Sequence, residues 1–127
     1  MSFMIDEQET LDEITRLVGR SVQASVSVYT RDKRRKDREL RALSSIKEVL
    51  CSASPGSPIK LNRVQVRVLQ GLIANTSHAL AISVIPNYEQ RMEESPGDSA
   101  KYLPYVEAGL NRIRIYKSVL DVLNKLT

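Results

Sequence analysis

Apolar side chains recur every three or four residues near the start of the chain, which is the spacing of one helical face. The positions that follow it are Leu11, Ile14, Val18, Val22, Val26 and Tyr29. Residues 21–29 also alternate between apolar and polar side chains as a strand would, and Ser and Val are indifferent helix formers. Because a lone strand would need a pairing partner, the pattern favours a helix.

A second apolar stripe predicts a helix over residues 31–51. Its members are Leu40, Leu43, Ile46, Val49 and Leu50. The first two turns of this segment have no apolar face, so we expect them to project from the core. The segment either continues the first helix with a bend near Thr30 or begins after it.

The third segment, residues 64–85, is apolar on all sides, which is typical of a helix at the centre of a fold. A loop rich in Pro and Ser over residues 52–60 precedes it, and Asn62 is the expected N-cap. Pro86 should kink or end the helix. Residues 68–88 lack Asp, Glu, Lys and Arg and have about the length of a membrane span. Polar side chains at its middle instead predict a buried helix and no membrane contact.

The last part of the chain predicts a loop over residues 95–98 and a final helix with Pro104 in its first turn. We therefore expect an all-α fold, a compact bundle of about four helices in two hairpins, forming one domain over residues 1–127. The second helix would project a basic face. The alternative is an α+β fold with a small hairpin between residues 22–28 and 63–68, because residues 63–68 also alternate.

The composition predicts the kind of core and the cellular location of the protein. The chain has 127 residues, of which 42% are hydrophobic and 5% aromatic, so an aliphatic core is expected. Cys51 is the only cysteine, which excludes an intrachain disulfide, and the first residues lack a signal-peptide pattern. Both features favour a reducing, cytoplasmic location.

Few residues suggest catalysis. The only histidine, His78, lies in the apolar third segment, where a hydrogen-bonded core residue is the expected role. Cys51 is expected to be a buried or half-buried small side chain. One Cys and one His cannot form a structural zinc site, and the scattered glycines form no phosphate loop. We expect a protein that is not an enzyme and has no metal and no cofactor.

Charge is unevenly distributed along the chain, although the net charge is only +4. Acidic residues dominate residues 6–13, and cations dominate residues 31–67. The candidate nucleic-acid-binding residues are Arg31, Lys33, Arg34, Arg35, Lys36, Arg38, Arg41, Arg63 and Arg67. The pairs Asp32–Lys36 and Asp37–Arg41 have helix-pair spacing, which would instead make this run a solvated charged face.

Three functional hypotheses follow. The first is a non-catalytic accessory protein that binds nucleic-acid backbone through the basic helix, without sequence specificity. The second is an adaptor or inhibitor that docks through its helices on a protein partner or on a second copy as a homo-oligomer. The third is an enzyme or small-ligand sensor with a pocket near Asn75, Ser77 and His78. A group of three tyrosines suits either base stacking or a protein interface: Tyr88, Tyr102 and Tyr105.

Overall fold

Helices form most of the molecule, as the apolar periodicity predicts. The computed structural model describes residues 1–27 and 33–127, without the side chains of residues 25–27, 33 and 35. The elements are β1 Ser2–Phe3, α1 Gln8–Ser27, α2 Lys33–Cys51, β2 Ile59–Lys60, α3 Arg63–Ala79, α4 Ile85–Glu94 and α5 Ser99–Asn124. A π-helical turn, Leu80–Val84, joins α3 to α4 in one continuous helix, Arg63–Glu94. The prediction of an all-α bundle of four helices is confirmed. Of the first apolar face, Tyr29 lies outside the described residues, as does Thr30.

The four helices pack as two hairpins. Helix α1 packs on α2, and α3 and α4 pack along α5, while α2 contacts α3 and α1 contacts α5. Aliphatic side chains fill the space between the hairpins, as the composition predicts. The side chains at the centre are fully buried: Ile14, Val18, Ile46, Val66, Leu69, Ile73, Tyr116 and Leu123.

A short strand pair covers one end of this core. Strand β1 lies antiparallel to β2, with Ser2 opposite Lys60 and Phe3 opposite Ile59. Phe3 and Ile59 are both buried against the helices. The alternative hairpin between residues 22–28 and 63–68 is wrong, because residues 22–27 belong to α1 and residues 63–68 to α3. Residue 28 lies outside the described part of the chain.

Pro86 does not end the helix. A proline lacks the backbone N–H and its ring clashes with the carbonyl four residues earlier. The π-helical turn directly before Pro86 relieves this clash, since the Ile85 N–H bonds to the carbonyl of Leu80, five residues back. The helix then continues to Glu94. Pro104 also lies inside a helix, because α5 begins at Ser99 and not near Pro104.

The prediction that the third segment is buried on all sides is wrong. By length and composition the helix Arg63–Glu94 is able to span a membrane, yet only 22% of its apolar window is buried in the fold. Val66, Leu69 and Ile73 face the core. Val64 is 64% exposed and Ile82 is 63% exposed. Helices α2 and α5 pack on this helix and leave its remaining side open.

Glu13 connects α1 to α5 through a polar cluster at the edge of the core. Its carboxylate accepts hydrogen bonds from the Tyr116 hydroxyl at 2.6 Å, from Arg112 Nε at 3.0 Å and from Arg16 Nη2 at 2.6 Å. Burial by itself would raise the pKa of Glu13, but the three donors outweigh burial and hold the pKa below its ordinary value. Burial and the Glu13 carboxylate together raise the pKa of Tyr116, so its hydroxyl remains a donor.

Candidate nucleic-acid interface

The described part of helix α2 opens in the basic run. Lys33, Arg34, Arg35 and Lys36 form its first described turn, which contains no acidic residue. Cations this close together on a helix repel one another, which costs helix stability. Helix stability therefore does not explain why cations are grouped here.

Three arginines of α2 form a row along one exposed side of the helix. Arg34, Arg38 and Arg41 follow each other at spacings of four and three residues, and all three are exposed. The Arg38 Nε donates to the backbone carbonyl of Arg34 at 3.4 Å, which lays the side chain along the row. We call Arg34, Arg38 and Arg41 the arginine row.

The arginine row lies on the side of α2 that borders α3. Ser45 continues the row by one more turn, and its hydroxyl accepts a hydrogen bond of 2.8 Å from Gln65 Nε2 on α3. This bond fixes how α2 is rotated against α3. The row therefore borders the surface between the two helices and not the opposite side of the bundle.

A groove between α1, α2 and α3 brings one cation of α3 toward α2. It has a volume of about 510 Å³, and its walls include Ala24, Glu39, Leu43, Arg67 and Val68. Arg67 thus lies across the groove from Glu39, which is about 100° around α2 from its neighbour Arg38 in the arginine row. Arg63, one turn before Arg67, is exposed but does not line the groove. The structure places Arg67 at the groove and Arg63 outside it.

The remaining candidates are described less completely. Arg31 lies outside the described residues, and so does Asp32 of the predicted pair with Lys36. The side chains of Lys33 and Arg35 are not described, and Lys36 is half-buried. The ion pairs described in the structure join Glu13 to Arg16 and to Arg112. Within the described part of the chain, none involves the arginine row, Arg63 or Arg67, so the predicted pair Asp37–Arg41 is not formed there.

The residues of the ligand-pocket hypothesis do not converge. Asn75 lines the groove, Ser77 is half-buried, and His78 is exposed, so its prediction as a core residue is wrong. Cys51 is also exposed, contrary to prediction, because it ends α2 beyond the last buried residue, Leu50. Among the described residues, no group of three His, Cys, Asp or Glu side chains is placed to hold a metal ion.

The three tyrosines do gather, at the end of the hairpin that α4 forms with α5. Tyr88 stacks on Tyr105 with ring centroids 5.3 Å apart, and Tyr102 lies 6.1 Å from Tyr88. The Arg91 guanidinium lies 5.8 Å from the Tyr88 ring and 5.9 Å from the Tyr102 ring. Because the rings pack on one another across the two helices, they hold α4 to α5. The sequence shows the aromatic residues but not that they contact each other.

Comparison with protein-family models, with curated proteins and with solved structures finds no match to this chain. Its fold and surface define it as a helical bundle with an exposed row of arginines.

Proposed function

We propose that this protein binds the phosphate backbone of nucleic acid, without base specificity, through the arginine row and Arg67. The observation that carries the proposal is an exposed row of three arginines along one side of helix α2. A row at spacings of four and three residues presents its charges along one line, which suits the regular repeat of phosphates. Guanidinium groups also bind phosphate oxygens in a bidentate way.

The described contacts support the proposal that these arginines are available to bind phosphate. A cation held in an intramolecular ion pair must give up that partner to bind phosphate. Arg34, Arg38, Arg41 and Arg67 take part in no ion pair within the described residues. Their charges are therefore open to a ligand, whereas the charge of Arg112 is held by Glu13 at 3.0 Å.

Fluorescence anisotropy with labelled single- and double-stranded oligonucleotides tests the proposal at several salt concentrations. We expect binding that weakens with salt, with a slope of about −0.9 for each phosphate contacted on duplex DNA. The variant Arg34→Glu/Arg38→Glu/Arg41→Glu should lose binding or reduce the slope by about 3. No binding at low salt would contradict the proposal.

A matched control separates this surface from net charge. The variant Lys60→Glu/Lys117→Glu/Lys125→Glu changes the charge by the same amount at exposed cations outside α2 and α3. We expect it to bind nearly as well as the parent. Equal loss of binding in the two triple variants would assign the effect to total charge, and the arginine row would not be a site.

A second candidate function is that of an adaptor that docks on another protein chain. Large apolar side chains that remain exposed favour it, among them Val64, Ile82, Leu103 and Leu110. An affinity pull-down with the arginine-row variant distinguishes the two functions. Retention of a protein partner together with loss of oligonucleotide binding would show that the partner binds outside the arginine row.

A further inference from the structure

Helix α5 carries exposed leucines on the face turned away from its own hairpin. Leu103 is 44% exposed and Leu110 is 54% exposed, although Val106 and Gly109 between them are buried. Seven residues separate the two leucines, which is close to two helical turns, so they share one face. Glu107 and Arg114 are exposed at the intervening and following turns of that face. We call Leu103, Glu107, Leu110 and Arg114 the α5 stripe.

The charges of the α5 stripe are arranged symmetrically about Leu110. Glu107 precedes Leu110 by three residues and Arg114 follows it by four, so the two side chains lie about 5 Å to either side along the helix axis. When two copies of α5 cross antiparallel at Leu110, each Glu107 is level with Arg114 of the other copy. The two leucines then meet at the symmetry axis.

We infer that this protein forms a two-fold symmetric dimer through the α5 stripe. A two-fold interface places the same residues on both sides, so it requires a surface that is complementary to itself. An apolar centre with opposite charges at equal distances on either side meets this requirement. The Arg114 Nη2 donates to Asn111 Oδ1 at 2.6 Å, which restrains the guanidinium on the exposed side of α5.

A lipid bilayer fits this surface less well than a second copy does. The long helix Arg63–Glu94 is apolar enough to span a membrane, but α5 packs along it. Insertion of this hairpin would carry Glu107 and Arg114 into hydrocarbon, where each charge is costly. In the dimer the same two charges pair with each other. Exposed Ile82, in the π-helical turn beside α5, adds apolar area to the same hairpin.

Sedimentation velocity over a range of protein concentrations tests the dimer. We expect the parent chain to dimerise, and Glu107→Arg and Arg114→Glu each to raise the dissociation constant of the dimer about tenfold or more by opposing like charges. The double variant Glu107→Arg/Arg114→Glu exchanges the charges and should restore the dimer to within about threefold of the parent. Leu110→Glu should leave a monomer.

The controls keep the result specific to this surface. Val64→Glu introduces the same charge as Leu110→Glu, but at an exposed apolar residue of α3, and it should leave the dimer intact. Circular dichroism of every variant checks the fold, which exposed substitutions should preserve. A monomeric parent chain at all concentrations, failure of the double variant to recover, or loss of the dimer in Val64→Glu would each overturn the inference.

Discussion

At the scale of single residues, the Glu13 carboxylate is a polar group at the edge of the core whose hydrogen bonds are well satisfied. Three donors from two helices converge on it, and its side chain is only 12% exposed. A carboxylate in such surroundings stabilises the fold only while it is charged, because its hydrogen bonds offset the cost of burial. The sequence does not reveal this arrangement, since Glu13 and its partners Arg112 and Tyr116 are far apart along the chain.

We expect Glu13→Gln to lower the free energy of unfolding at neutral pH by about 1–3 kcal/mol, since a neutral amide is a weaker acceptor for three donors. The pKa of Glu13 is lowered in the fold, so its contribution is present above the ordinary value of 4.5 and is lost as the pH falls through the folded pKa. Urea unfolding between pH 7 and pH 3 measures both effects. Between pH 7 and pH 3 the free energy of unfolding should fall by more in the parent than in the variant. An equal fall in both proteins would contradict this role of the Glu13 carboxylate. Glu89→Gln, at an exposed carboxylate, is the control and should change little.

Two helical glycines offer a matched pair of substitutions. An added Cβ at Gly71 meets no other atom within 4 Å, whereas at Gly109 it would lie 3.0 Å from Ile85 Cγ1. Gly71→Ala should therefore stabilise the protein by about 0.5–1 kcal/mol, because alanine restricts the unfolded chain and favours the helix. Gly109→Ala should be destabilising, because the buried Ile85 side chain of α4 must give way by a few tenths of an ångström. Thermal unfolding of the two variants is the measurement, and equal shifts in Tm would refute this view of the α4–α5 contact.

At the scale of elements, apolar periodicity predicts helix positions well where one face is buried. The spacing of Leu11, Ile14 and Val18 identifies α1, and the stripe ending at Leu50 identifies α2. The prediction is wrong for Pro104, which lies beyond the first turn of α5. At Pro86 a π-helical turn lets the helix continue, and no local sequence signal predicts that turn. Periodicity also does not reveal the strand pair of residues 2–3 and 59–60, since two-residue strands have no periodicity and their pairing depends on distant parts of the chain.

The start of α3 depends on a reciprocal cap, of which the sequence predicts the Asn62 N-cap but not the returning bond to Gln65. The Asn62 side chain accepts from the Gln65 backbone N–H, and the Gln65 side chain accepts from the Asn62 backbone N–H, each at 2.8 Å. Asn62→Ala should cost about 1 kcal/mol of unfolding free energy. Asn62→Asp keeps the acceptor and places a negative charge at the helix N-terminus, so it should stay within about 0.5 kcal/mol of the parent. Urea unfolding distinguishes them, and an alanine variant as stable as the aspartate variant would show that the cap contributes nothing.

At the scale of the whole molecule, the sequence predicts which surface is basic but not how its cations are grouped. The arginine row follows from helical spacing alone. The placement of Arg67 at the groove and of Arg63 outside it depends on how α3 lies against α2, which is set by the Ser45–Gln65 contact. The sequence likewise does not predict that the α5 stripe is exposed. A helix with apolar residues on several faces gives no indication of which face remains open to solvent.

The two ends of the second hairpin are buried to different extents. The main core cluster includes Ile115, Tyr116, Val119 and Leu123 from the second half of α5, but neither Ile85 nor Val106. Ile85 and Val106 are buried between α4 and the first half of α5 alone. A segment with few buried apolar contacts opens locally at a lower free energy than the core does.

The free energy of opening measured by hydrogen exchange should therefore differ between the first and second halves of α5. We expect the amides of α4 and of residues 99–106 to open at a free energy about 2 kcal/mol below those of residues 115–123, roughly the stabilisation from one buried aliphatic side chain. Native-state exchange followed by NMR measures these values. The same experiment on Leu110→Glu removes any protection that a dimer adds, so the difference should persist or widen. Uniform opening energies along α5 in that variant would mean that the four helices unfold as a single cooperative unit.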